Sequence, residues 1–212
     1  NPQAVWTDAE GNAYTTDDYG YILKYDPKTD ELRRTNIQCP HMPYRRGWHN
    51  VPYDVVPSPD RQTLFGIDWG YENFVWEFDP RKPEDQAMKS YGRGWGPPEW
   101  RNDDALETWQ LRGLVFGADQ KLYFMARCGW DGKGQHHLLR LDPATGERED
   151  LGALTFPSRG RDVHIASATP DFYGNLYFAE AGPNPTSLYI FRPDSARKGK
   201  KVFSFQDIKQ WG

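Results

Sequence analysis

At 212 residues the chain can bury one substantial core or two small ones, and a net charge of −4 supplies no overall basic field for holding nucleic acid. No apolar run reaches the length of a membrane-spanning helix, and the residues after Asn1 do not read as a charged-then-apolar leader, so no membrane partner is expected. Aromatic residues make up 15% of the chain, more than a core drawn from a 37% hydrophobic sequence needs, while Cys39 and Cys128 are too few for a disulfide framework and read as thiols.

Taken in chain order, the elements repeat. "VWTDAEGNAYTT" from Val5 is an apolar strand, a turn of Asp, Gly and Asn, and an aromatic strand; "YILKYDPKTDEL" from Tyr21 is an alternating strand that ends in a Pro turn. The same two pieces recur as "VVPSPDRQTLFGI" and "FVWEFDPRKPED" from Val55 and Phe74, then as "LVFGADQKLYFMA" and "HLLRLDPATGERE" from Leu114 and His137. A fourth pair is "SATPDFYGNLYFAEA" and "LYIFRPDSARKGK" from Ser167 and Leu188. The tail prolines fall at Pro27, Pro80, Pro143 and Pro193, giving a unit of about 50 to 63 residues that reads as four antiparallel strands. Helical periodicity is missing over any dozen residues, with "RNDDALETWQL" good for one turn at most.

Four repeated four-stranded units predict an all-β chain, a β-propeller of four blades spanning about 1–40, 51–90, 109–154 and 162–210. The punctuation "EGNAY", "YGNLY" and "LDPATGE" resembles that of propeller-type polysaccharide lyases and streptogramin lyase-like propellers, whose rings have seven or eight blades. That resemblance favours half of a larger ring, completed by a second chain or a further segment, over a true four-bladed ring, and an extracellular or periplasmic setting is favoured. The chain then forms a single propeller or half-propeller domain.

In such a blade the turns between strands one and two, and between strands three and four, leave one end of the sheet. The remaining connections leave the other end. The second group holds "CPHMPYRRGWHNVPYD", "SYGRGWGPPEWRNDDALETW", "TFPSRGRDVH", "DWGYEN" and "RCGWDGKGQHH", where the histidines and most arginines and tryptophans of interest are gathered. Long connections on one side of a rigid scaffold are where binding groups sit. Arg45, Arg46, Arg127 and Arg161 there can fork onto carboxylates, and Trp48, Trp69, Trp95 and Trp130 offer flat faces to sugar rings. The expected partner is an acidic, uronate-containing oligo- or polysaccharide.

Aligning Asp60, Asp119 and Asp171 places Tyr53, Arg112 and His164 at one position of the first strands; aligning on the following Tyr places Gln110 opposite His164 instead. For β-elimination the first alignment assigns Arg112 to carboxylate neutralisation, His164 or His49 to proton abstraction and Tyr53 to protonation of the leaving oxygen, parts that the resemblance also implies. Gln3, His41, His49 and His164 form an alternative shell for a divalent metal ion, without tight ligand spacing to support it. A non-catalytic module that binds glycan or protein through the same end of the blades is the competing expectation.

Overall fold

The computed structural model describes residues 5–40, 51–69, 74–94, 110–127, 136–154, 164–181 and 188–193; for Val51, Trp69, Gln110, Arg127, His136, Ala153, Leu154, His164 and Ala181 it describes the backbone alone. Among the described residues all fifteen elements are strands. The first sheet runs β1 (Trp6–Thr7), β2 (Ala13–Thr16), β3 (Tyr21–Asp26) and β4 (Glu31–Gln38), and the second β5 (Val51–Pro57), β6 (Leu64–Trp69), β7 (Phe74–Phe78) and β8 (Met88–Arg93). The third is β9 (Gln110–Phe116), β10 (Leu122–Arg127), β11 (His136–Leu141) and β12 (Arg148–Leu154); the fourth holds β13 (His164–Pro170), β14 (Leu176–Ala181) and β15 (Leu188–Phe191). Every pairing is antiparallel between consecutive strands, which is the meander of a propeller blade. The chain is therefore a β-propeller protein. It divides into two compact units, Asn1–Leu106 and Glu107–Gly212, each with two of these sheets.

Local chemistry explains the turns. In the β1–β2 turn both oxygens of Asp8 are occupied: the Asn12 backbone N–H donates to one at 2.9 Å, and Asn12 Nδ2 and the Tyr14 hydroxyl donate to the other at 2.7 Å each. Asp171 repeats the device in the β13–β14 turn with Tyr173, Asn175 and Tyr177 as donors. In the third and fourth strands' turns the carboxylate before Pro caps the chain two residues on, from Asp26 to Lys28, Asp79 to Arg81 and Asp142 to Ala144. These are Asx turns that need no tertiary partner, which is why they were legible.

Packing decides the strands. Residues 122–126 of β10 are all buried, so β10 reads as an unbroken apolar run because both of its faces are covered. In the first unit Trp6, Tyr14, Ile22, Leu64, Trp76 and Phe78 share one core; in the second, Val115, Tyr123, Met125, Ile165, Phe178 and Phe191 share another. Two glycines are forced by close approach. Gly66 pairs with Trp76 across the β6–β7 ladder, and the indole lies where a Cβ would stand, its Cζ2 only 2.0 Å away. Gly113 sits in a bulge of β9 at φ +66, and a Cβ there would lie 2.9 Å from Ile165 on β13.

Candidate functional site

The two ends of the sheets differ in what their polar groups are doing. At the turn end the aspartates are spent on the turns. Burial pushes the Asp8 carboxyl up, but the bonds from Asn12 and Tyr14 outweigh it and hold the group below the ordinary carboxylate range; Asp171 behaves the same way through Asn175 and Tyr177. A cleft of about 320 Å³ at the turn end of the third blade is lined by Lys121, Arg140, Asp142, Glu147, Arg148 and Glu149. Its charges largely answer one another, with Lys121 3.2 Å from Asp142 and Arg140 paired to Glu149. That cleft is an ion-pair surface, at the other end of β10 from the candidate Arg127.

At the connection end the strands start or finish on reactive residues. Arg112 pairs with Met125 in the β9–β10 ladder, is half-buried, and keeps Nε and Nη1 shielded from solvent. His164 opens β13 opposite Ala181, and Gln110 opens β9 opposite Arg127. Strand β9 lies against β13, and the residue after Arg112 meets the residue after His164, because a Cβ on Gly113 would touch Ile165. The fold therefore brings the backbones of Arg112 and His164 to one seam between two blades.

The register corrects the equivalence of Tyr53, Arg112 and His164. Ala181 and Arg127 are each the sixth residue of the second strand, so Gln110 occupies the place of His164. Arg112, opposite the fourth residue Met125, corresponds to Ser167 opposite Ala179 and to Asp54 opposite Ile67. Tyr53 itself is the extra residue of a bulge between Pro52 and Asp54. The cause is physical: β5, β9 and β13 each carry a bulge, and an inserted residue moves everything beyond it by one place. Of the other candidates, Trp69 ends β6 opposite Val51 and Arg127 ends β10, with only their backbones described. Gln3, His41, Arg45, Arg46, Trp48, His49, Trp95, Trp130 and Arg161 lie outside the described residues. Among the described residues no group of three or more His, Cys, Asp or Glu is placed to hold a metal ion.

Three features escaped the sequence reading. The fifth place from the start of the second strand is acidic in three blades: Asp17, Asp68 and Glu180, with Ala126 in the third. Asp68 is 2% exposed and accepts the Trp76 indole N–H at 2.7 Å; Glu180 accepts the Tyr189 hydroxyl at 3.2 Å; Asp17 accepts Tyr19 and Tyr21 backbone N–H groups and pairs with Arg34 at 2.9 Å. The signal was present as "TTDD", "GIDWG" and "FAEAG", an acid just ahead of each connection. Secondly, His137 Nδ1 lies 3.1 Å from both oxygens of Asp150, which also accepts the Gly152 N–H at 2.8 Å. In the first blade the same two ladder places carry Tyr21 with Arg34 stacked on it at 3.7 Å, so this is a recurring clip across the third and fourth strands. Thirdly, the thiol read at Cys39 is fully buried, and burial with Asp68 and Asp17 pushes its pKa well up, so it is a poor nucleophile at neutral pH.

No protein-family model matches the chain, and no curated protein does. Solved structures do. The chain resembles the Kuenenia stuttgartiensis hydrazine synthase at 16% identity and a TM-score of 0.61, covering 94% of this chain and 56% of that one. Against the calcium-binding protein regucalcin from Agrobacterium tumefaciens the values are 13%, 0.56, 90% and 56%, and against a gluconolactonase from Xanthomonas campestris 14%, 0.53, 96% and 61%. The chain spans just over half the length of these proteins. At such identities the likeness carries the propeller fold alone, and the expected kinship with polysaccharide lyases is supported only to that extent.

Proposed function

We propose that the protein is a carbohydrate-active propeller that binds an acidic, uronate-containing polysaccharide at the connection end of its blades and cleaves it by β-elimination. The observation that carries this reading is Arg112: a permanently charged guanidinium, partly withdrawn from water on a first strand, against the strand that starts with His164. In a poorly hydrated seam a forked cation favours a planar carboxylate over a neutral group. Neutralising that carboxylate is what allows the proton on the adjacent carbon to be removed.

In the proposed step His164 takes that proton, the electron pair forms a carbon–carbon double bond, and the bond to the glycosidic oxygen breaks. The departing oxygen takes up a proton from solvent. The products are one chain with an unsaturated end and one with a new hydroxyl. A second reading, a non-catalytic module for the same glycans, is favoured by the side chains of Asp17, Asp68 and Glu180, whose bonds within their own blades are those of a scaffold. Completion of the ring by a second chain or a further segment belongs to both readings. Incubation with polygalacturonate, alginate and dextran separates the two: growth of ultraviolet absorbance with an acidic polymer supports the lyase, binding without absorbance supports the module, and indifference to polymer charge removes both.

A further inference from the structure

The four turns between the first and second strands are one structure built four times. In each, the backbone N–H of the fourth residue donates to the carbonyl of the first: Gly11 to Asp8, Arg61 to Ser58, Gln120 to Gly117 and Gly174 to Asp171. In each, that fourth residue has positive φ, at 87°, 57°, 63° and 82°. The two residues between are free to vary, and three blades agree on a small residue followed by an acid: Ala9–Glu10, Pro59–Asp60 and Ala118–Asp119. The fourth carries Phe172–Tyr173. Turn formation does not ask for aromatics there, since its three sisters form without them.

These two rings are also as exposed as side chains become, Phe172 at 99% and Tyr173 at 87%, and they meet at right angles with centroids 5.9 Å apart. Beneath them Asp171 takes four hydrogen bonds, and Gly174 abuts Ala118 of the neighbouring turn, so the rings stand on a braced base. Rigid aromatic rings presented to water at a tip lose little entropy on binding.

We propose that Phe172 and Tyr173 form a secondary carbohydrate site that stacks one pyranose unit of a neutral oligosaccharide. Area argues against a protein: two aromatic side chains offer at most about 500 Å², whereas a stable protein interface takes about 800 Å² from each partner, and the flanking turn residues Asp119, Gln120 and Lys121 are polar. Charge argues against a polyanion or an anionic membrane. The charged groups around the tip balance, with Asp171, Asp119 and Asp142 set against Arg192, which acts on the Tyr177 hydroxyl below, Arg140, 3.9 Å from Asp119, and Lys121, 3.2 Å from Asp142. A pyranose has one face of C–H groups the size of a single ring, which covers the apolar surface, and hydroxyls on its rim that stay in water or meet the Tyr173 hydroxyl.

The site lies at the opposite end of the blades from the proposed reaction, and the two stand or fall separately. Saturation-transfer NMR and calorimetry with cellohexaose, xylohexaose, mannohexaose and laminarihexaose should find weak binding of at least one. Tyr173→Ala should weaken it roughly five- to tenfold. Phe172→Ala with Tyr173→Glu, which copies the Ala9–Glu10 turn of the first blade, should abolish it while leaving the melting temperature and any activity on acidic polymer unchanged. The proposal is overturned if no hexasaccharide binds, or if binding survives the double substitution. It is equally overturned if that substitution instead converts a dimer to a monomer or releases the protein from anionic vesicles.

Discussion

Replacing Gly66 by Ala puts a methyl group into space that Trp76 already fills. The added carbon would lie 2.0 Å from Cζ2, 2.4 Å from Cη2 and 2.5 Å from Cε2 of the indole, where carbon atoms normally stay about 3.5 to 4 Å apart. Trp76 has nowhere to retreat, being fully buried and packed against Trp6 at 6.3 Å. A displaced ring also withdraws its N–H from Asp68, a carboxylate 2% exposed. Overpacking costs about 1 to 3 kcal/mol, and a buried acceptor deprived of this donor about 1 to 3 more, so Gly66→Ala should destabilise the protein by roughly 2 to 6 kcal/mol. Urea unfolding with unchanged slope and a lowered midpoint is the assay. Because the clash is with the six-membered ring of the indole, adding Trp76→Phe should make the pair less damaging than the sum of the two changes. A single variant within about 0.5 kcal/mol of the parent, the range of ordinary surface substitutions, would refute the reasoning.

Gly113→Ala should cost about 2 to 4 kcal/mol, from a side chain at φ +66 and from contact with Ile165 and Phe178 at 2.9 and 3.1 Å, and thermal melting measures it. The lowered carboxyls of Asp8 and Asp171 give the turns an acid signature: the unfolded chain takes up protons first, so their contribution is complete above the unfolded value of about 3.9 and falls as pH drops through the lower folded values. Urea midpoints should therefore fall below about pH 4 for this reason, and Asp171→Asn should make that fall shallower. Cys39, buried and with its thiol pushed up, should resist alkylation in the native protein and label rapidly in denaturant, as read by mass mapping of its peptide.

Local chemistry made the blades legible. Asp-Pro and Asp-x-x-Gly-Asn turns close on their own backbone, so Asp8, Asp142 and Asp171 announce hairpins without reference to anything distant. The first strands were not legible to the residue, since the bulge at Tyr53 and those near Gly113 and Ile165 add a residue that leaves no mark in composition. For that reason aligning Asp119 with Asp171 set Arg112 against His164, whereas the ladder sets Gln110 there. The acidic place of Asp17, Asp68 and Glu180 could be found only by counting along the second strands, because each acid is satisfied by a different donor. As for the connections that carry His49, Trp95 and Arg161, they fall outside the described residues.

The central claim is that a guanidinium at the blade seam recognises a uronate carboxylate, and Arg112→Lys tests it most directly. Lysine keeps the charge and loses the two-point fork. With polygalacturonate as substrate and ultraviolet absorbance as readout, the account predicts a fall in turnover of about a hundredfold or more, the loss of one transition-state contact worth roughly 3 kcal/mol, with the melting temperature close to that of the parent. Parent-like turnover in the lysine variant, or a parent protein that binds dextran as tightly as polygalacturonate at low salt, would contradict it.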